Sequence, residues 1–137
     1  MTSDPQNKGP FVATTISISL TVKELQKSVD WYHKTVGFSI ESRREREGKL
    51  VSVVVSAGPV RIALNQDDGA KGWDRMKGLG FSFNIRTEQD IDELAKKVQV
   101  HGGTLAMEPT DMPWGARAIR LIDPDGYKIT LSKLIVK

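Results

Sequence analysis

Hydrophobic and polar positions change their spacing in a regular order along the chain. In residues 15–22 (TISISLTV) Ile16, Ile18, Leu20 and Val22 alternate with Ser17, Ser19 and Thr21. That period of two predicts a strand with one face on a core and the other carrying small hydroxyls. The spacing then lengthens, and Leu25, Val29, Tyr32 and Val36 form a helical stripe. Thr21 and Glu24 have capping-box spacing, and Gly37 stands where a C-cap belongs. Strand character returns over residues 38–45, 50–56 and 60–65, divided by turn signals at Gly48 and Gly58-Pro59. A polar stretch over 66–78, holding Trp73, has no periodicity.

The same order then recurs. Phe81, Phe83 and Ile85 alternate with Gly80, Ser82 and Asn84. Thr87-x-x-Asp90 caps a second helix whose stripe is Ile91, Leu94, Ala95 and Val98, ended by Gly102-Gly103. Three more strands are predicted over 105–108, 116–122 and 127–134, the last two joined by the turn Asp123-Pro124-Asp125-Gly126. The chain therefore reads βαβββ twice. Module 1 spans 13–66, a linking loop 67–78, and module 2 runs from 79 to the end at 137, its last strand closing near 134. Residues 1–12, polar with two prolines, read as a flexible leader. The predicted class is α+β: two modules, each a curved mixed sheet backed by one helix. A single helix covers one sheet face, so the polar alternates are left on the other. Two such faces brought together form a cup, where function belongs.

Composition narrows the picture. A chain of 137 residues is one domain's worth, and 39% hydrophobic with 27% charged is ordinary for a globular protein. The absence of Cys excludes disulfides, thiolate catalysis and a Cys-bound zinc. No apolar run has the length of a membrane span, and residues 1–12 lack a signal-peptide core, so a cytoplasmic protein is expected. The net charge of +3 is not focused. Arg43, Arg44 and Arg46 alternate with Glu41, Glu45 and Glu47, the mixed pattern of a solvated arm and not of a nucleic-acid track.

Three stretches carry a family resemblance. LTVKELQKSVDWYHKTVGF (residues 20–38) resembles the strand–helix opening of glyoxalase-fold modules, including Trp31-Tyr32 and the closing Gly-Phe. MPWGARAIRLIDPDGYKITL (residues 112–131) resembles their closing hairpin, and HGGT (residues 101–104) the end of their second helix. Together they identify the chain as similar to the glyoxalase / bleomycin resistance / extradiol dioxygenase (vicinal oxygen chelate) superfamily. The resemblance implies a cup that commonly holds a divalent metal on His or Glu from the first and fourth strands of each module. In this sequence those positions fall on Ser17, Ala63, Gly80 and Thr130, none of them a good ligand. The absence does not depend on register, because residues 14–22, 60–66, 79–85 and 127–133 contain no His, Glu, Asp or Cys. His33 and His101 lie at helix C-termini, where an imidazole partners the terminal carbonyls. No metal, cofactor or catalytic residue is therefore assigned. No nucleophile elbow or phosphate loop is present. A carboxylate for acid–base work would have to be Glu41, Asp67, Glu108 or Asp111, which read as surface acids.

Candidate ligand-binding residues follow from the predicted faces. Ser17, Ser19, Asn65, Ser82, Asn84 and Thr130 offer neutral hydrogen bonds. Arg61, Lys128 and Arg120 would make the cup positive, unless they sit at strand ends and extend into water. Trp73 is either a wall of the cup or of a subunit interface, or a lid folded on its own module, and the resemblance implies that Trp114, in the closing hairpin, lies near the pocket. Trp31 reads as packing. The resemblance and these residues together predict a metal-free, homodimeric protein binding a small planar or anionic molecule or an antibiotic. Bleomycin itself is cationic and a positive cup repels it. The alternatives are a metal-dependent lyase, isomerase or dioxygenase of the same superfamily, and an interaction module with a vestigial cup.

Overall fold

The computed structural model describes residue 7 and residues 9–135, so part of the leader expectation, residues 1–6 and 8, lies outside the described residues. Both repeats form as predicted. Module 1 comprises β1 (Ser17–Val22), α1 (Leu25–Asp30), β2 (Ser39–Arg46), β3 (Lys49–Ala57) and β4 (Val60–Gln66). Module 2 comprises β5 (Ser82–Arg86), α2 (Ile91–Val100), β6 (Met107–Met112), β7 (Ala116–Ile122) and β8 (Lys128–Leu134). The sheets have the same order, β1-β4-β3-β2 and β5-β8-β7-β6. In each, the first strand pairs parallel with the last and the remaining pairs are antiparallel.

Local chemistry explains where the elements depart from prediction. Thr21 does not cap α1, because β1 keeps pairing with β4 through Thr21↔Asn65 and Val22↔Gln66. The N-cap is Glu24, without a side-chain bond, and the freed Leu25 amide donates instead to Gln66 Oε1 at 3.0 Å. From Trp31 to Val36 the helix continues as a π-helical turn, closed by Gly37 at φ 108° and by its N–H on the Tyr32 carbonyl. α2 is capped by Asp90, which accepts from the Glu93 N–H at 3.0 Å, and not by Thr87, whose hydroxyl takes the Gln89 N–H ahead of the helix at 3.1 Å. The strand predicted over 105–108 lies instead at Met107–Met112. Pro109 has no N–H to give, but β6 is an edge strand and its ladder shifts register between Met107 and Thr110, where the missing donor is tolerated. β5 begins at Ser82 and not at Gly80, which stands in the preceding turn at φ 72°.

The apolar alternates of both sheets meet the helices in one continuous core. It runs from Leu20, Val22, Ile62 and Leu64 through Leu25, Val29 and Tyr32 to Ala95, Val98, Ile119, Leu121 and Ile129. Each helix packs on its own sheet, and the two helices pack on each other. Gly103 is required at this helix contact, since a Cβ there would collide with Thr35 and Val98. The helices therefore occupy the space between the sheets, and the polar faces of both sheets are turned away from the shared core. No helix among the described residues is long and apolar enough to cross a membrane.

The β7–β8 turn fastens module 2 to module 1. Asp123 accepts from the Tyr32 hydroxyl at 2.8 Å, with both residues buried. Asp125 takes the Lys23 amide (2.8 Å) and the Ser28 hydroxyl (3.2 Å), and Tyr127 donates to the Thr21 carbonyl (2.8 Å). Burial pushes the Asp123 carboxyl above the ordinary carboxylate range, against the opposing pull of its hydrogen bonds, and raises the Tyr32 hydroxyl as well. The linking loop is pinned beside this turn by a buried ion pair, Asp67 with Lys77 at 3.1 Å. The Gly69 N–H and then Lys77 hold Asp67 below its usual pKa.

Candidate functional site

The two uncovered faces are where the structure leaves polar side chains free of the core. On module 1, the pairings Ser17↔Arg61, Ser19↔Ala63, Ser52↔Asn65 and Ser56↔Arg61 set one face of β1, β4 and β3. Its polar groups satisfy one another. Asn65 donates to the Ser19 hydroxyl at 2.7 Å and accepts from the Ser52 hydroxyl at 3.0 Å. Arg61 donates from Nε to both carboxylate oxygens of Glu41, at 3.0 and 2.9 Å. The positive charge foreseen at Arg61 is thus neutralised on the face itself. Glu41 reaches this position because the β2–β3 ladder shifts register between Ile40 and Ser42, which a strict count of alternation does not reveal.

Module 2 presents a different face. Ser82↔Lys128, Asn84↔Thr130, Arg120↔Thr130 and Ile122↔Lys128 place Ser82, Asn84, Lys128, Thr130 and Arg120 together. Asn84 accepts from the Ser132 hydroxyl at 2.8 Å, echoing Asn65 with Ser52. Arg120 and Lys128 are exposed, and neither has an ion-pair partner among the described residues. Met107 pairs with Arg120 and Met112 with Ala116, adding polarisable apolar side chains that sequence reasoning did not select. Their signal was cross-strand register, which needs the bulge in β6 to be known first.

The other candidates sort by location. Trp114, 46% exposed, sits in the β6–β7 turn beside Met112. Trp73 is half exposed, and its indole lies against Gly69 of its own loop, so closely that a Cβ on Gly69 would collide with the ring. Trp31 packs edge-on against Tyr32, with ring centroids 4.8 Å apart. Of the carboxylates open to acid–base work, Glu41 is held by Arg61, Asp67 by Lys77, and Asp111 by Arg117 at 2.9 Å. Arg117 also reaches Asp92 of α2, and its hydrogen bond holds Asp92 below the usual range. His33 and His101 lie off both faces, their Nδ1 atoms at 2.7 Å from the Phe38 carbonyl and 2.8 Å from the Lys97 carbonyl.

A family model described as the glyoxalase/bleomycin resistance protein/dioxygenase superfamily matches residues 14–131. The chain belongs to this superfamily. Among relatives, a lactoylglutathione lyase, GLX1, from Arabidopsis thaliana is 27% identical over 116 residues, covering 80% of this chain. The chain spans only 40% of that plant protein's length. A superfamily member from Sphaerobacter thermophilus, known from its crystal structure, is 28% identical with a TM-score of 0.70, covering 89% of this chain and 98% of its own. TnmS3, an antibiotic binding protein from Streptomyces sp. CB03234, shares the fold at 22% identity and a TM-score of 0.69, covering 90% and 97%.

The divalent metal implied for this superfamily does not fit the residues present. The face positions of β1, β4, β5 and β8 carry hydroxyl, amide, methyl and cationic groups. Among the described residues no three His, Cys, Asp or Glu side chains converge. Gly80, aligned with a ligand position in the sequence, lies outside β5, and the β5 partner of Thr130 is Asn84. A hydroxyl–amide set of this kind is a poor match for a transition metal, and no reaction step is derived through one.

Proposed function

We propose that this superfamily member binds a small planar anion, such as an aromatic carboxylate or an antibiotic bearing one, without a metal and without turnover. What carries the reading is the module 2 face: Arg120, opposite Thr130 on β7, and Lys128, two residues before it on β8, lie open with no ion-pair partner among the described residues. Asn84, Ser82 and Thr130 add neutral donors and acceptors, and Trp114 stands at the nearby turn. Two such cations favour an anion electrostatically and disfavour a cationic drug.

The partner of this face is proposed to be module 1 of a second copy. Within one chain the helices lie between the sheets, so the chain's own two faces do not meet. β1 and β5 are edge strands whose outer edges are unpaired among the described residues, and Ile16 and Phe81 beside them are exposed. Such edges invite pairing. A homodimer in the cytoplasm, each cup combining one face from each chain, meets both conditions. The name of TnmS3 is consistent with this use of the fold. The relatives named as lyases favour a second reading, a metal-dependent lyase, which the donor set described above does not support.

The test is a titration with 1-naphthoate followed by tryptophan emission, alongside sedimentation. Saturable binding by a dimer is expected, weakened about tenfold in each of Arg120→Gln and Lys128→Gln. A response that both substitutions leave unchanged, or its absence, overturns the reading.

A further inference from the structure

The internal repeat supplies its own control for the module 2 face. On the module 1 face the polar groups consume one another. Arg61 is held by Glu41, and the Asn65 amide accepts from Ser52 and donates to the Ser19 hydroxyl and the Leu20 carbonyl. The amide on the module 2 face, Asn84, accepts from the Ser132 hydroxyl, but its Nδ2 has no hydrogen-bond partner among the described residues. The alternation of β5 adds a third cation that sequence reasoning did not select. Phe83 and Ile85 pack on the core, so Arg86 falls on the uncovered face with Ser82 and Asn84, opposite Ser132 of β8. Arg86 is exposed and, like Arg120 and Lys128, has no ion-pair partner among the described residues.

Register fixes how these groups are spread along the backbone. Arg120, opposite Thr130, lies two residues along from Lys128 and one strand across, roughly 8 Å from it. Arg86 lies level with Ser132, four residues along from Lys128 and on the other side of β8, roughly 14 Å from Lys128 and roughly 12 Å from Arg120. The cations therefore form two stations: Arg120 with Lys128, and Arg86 alone at the opposite corner. Asn84, paired with Thr130, stands between them with its open amide donor. A second copy closing over this face with its module 1 face brings the Arg61–Glu41 pair, which is already neutral within itself. The positive charge of both stations thus outlasts closure. A ligand with one anionic group satisfies one station, whereas a rigid ligand with an anionic group at each end satisfies both.

We propose that the ligand of this face is a rigid, planar dianion whose two anionic groups stand roughly 10 Å apart, one held by Arg120 and Lys128 and the other by Arg86. The proposal rests on the binding reading given under Proposed function and narrows its ligand class. The experiment is calorimetric titration of the full chain, at one fixed ionic strength, with 2,6-naphthalenedicarboxylate, its close-spaced isomer 2,3-naphthalenedicarboxylate, and 2-naphthoate. The 2,6-diacid is expected to bind about tenfold tighter than 2-naphthoate, and the 2,3-diacid gains little. In Arg86→Gln the ratio of 2,6-diacid to naphthoate affinity falls to about one, while Arg86→Lys, which keeps the charge, retains most of the advantage. Equal affinity for the 2,6-diacid and 2-naphthoate, an equal gain by the two diacids, or an Arg86→Gln variant that weakens all three ligands by the same factor overturns the proposal. Each of those results leaves the single-anion reading standing, whereas no binding of any of the three overturns both. The wild-type ratios keep the test decisive even if a variant folds poorly.

Discussion

Replacing Tyr32 by Phe removes one hydroxyl from the contact that joins the modules. Asp123 Oδ1 keeps the amides of Asp125 and Tyr127, each at 2.9 Å, but Tyr32 is the hydrogen-bond donor to Oδ2. Both residues are buried, at 0% and 3% exposure, so solvent does not replace the lost donor. A hydrogen bond to a charged group contributes about 1.5–3 kcal/mol, and a buried oxygen left without a partner costs at the upper end. The expected loss is therefore about 2–3 kcal/mol, or roughly 6–12 °C in Tm for a chain of this size. The pH dependence is a sharper check. Burial raises the Asp123 pKa, so its contribution is full below the ordinary carboxylate pKa and declines as pH rises through the raised value. Tyr32→Phe removes a group that lowers that pKa, so its penalty grows with pH across the same window. Urea unfolding of both proteins at about pH 4.5 and about pH 8 measures the difference, in which the other carboxylates cancel. Asp123→Asn, which keeps the shape without the charge, should cost less than Tyr32→Phe and flatten the profile. A Tyr32→Phe penalty under about 0.5 kcal/mol, or one larger in acid, would refute the reasoning.

Three further outcomes are expected. Lys77→Met leaves Asp67 buried without its nearest cation; because a lowered carboxylate pKa stabilises above the ordinary range and that stability is lost as pH falls, acid unfolding should begin at higher pH in this variant, as read by circular dichroism. Gly103→Ala places a Cβ against Thr35 and Val98 and should cost about 1–3 kcal/mol in denaturant melts, whereas the same change at a freely exposed site would not. Treatment with a strong chelator should leave both Tm and naphthoate binding unchanged, since the faces lack a ligand set; a fall in either would contradict the metal-free reading.

The repeated modules were legible because each strand and helix carries its own period, from Ile18-Leu20-Val22 to Ile91-Leu94-Val98. The faces were legible for the same reason: Ser17, Asn65, Ser82 and Lys128 fall opposite the core residues by alternation alone. What alternation could not give is pairing. Arg61 looked like a free cation until the register shift beside Ser42 brought Glu41 to it. The capping reading at Thr21 failed because a tertiary acceptor, the Gln66 side chain, took the Leu25 amide in place of a local cap. The strand around Pro109 moved because an edge accepts a proline that a central strand does not. That the helices would lie between the sheets was also beyond pattern, since both arrangements bury the same alternating residues.

The unequal fastening of the two hairpin turns has a mechanical consequence. A molecule built from two similar halves would yield equally at both ends of its seam, but here the β7–β8 turn is hydrogen-bonded to module 1 while the β3–β4 turn at Gly58-Pro59 makes no hydrogen bond to module 2 among the described residues, so the first end is expected to be the stiffer. Amide protons near residues 21–32 and 123–127 should exchange only through global unfolding, while those near 57–60 and 85–87 should exchange through small local openings. The repeat is symmetric in its pattern and lopsided in its elasticity.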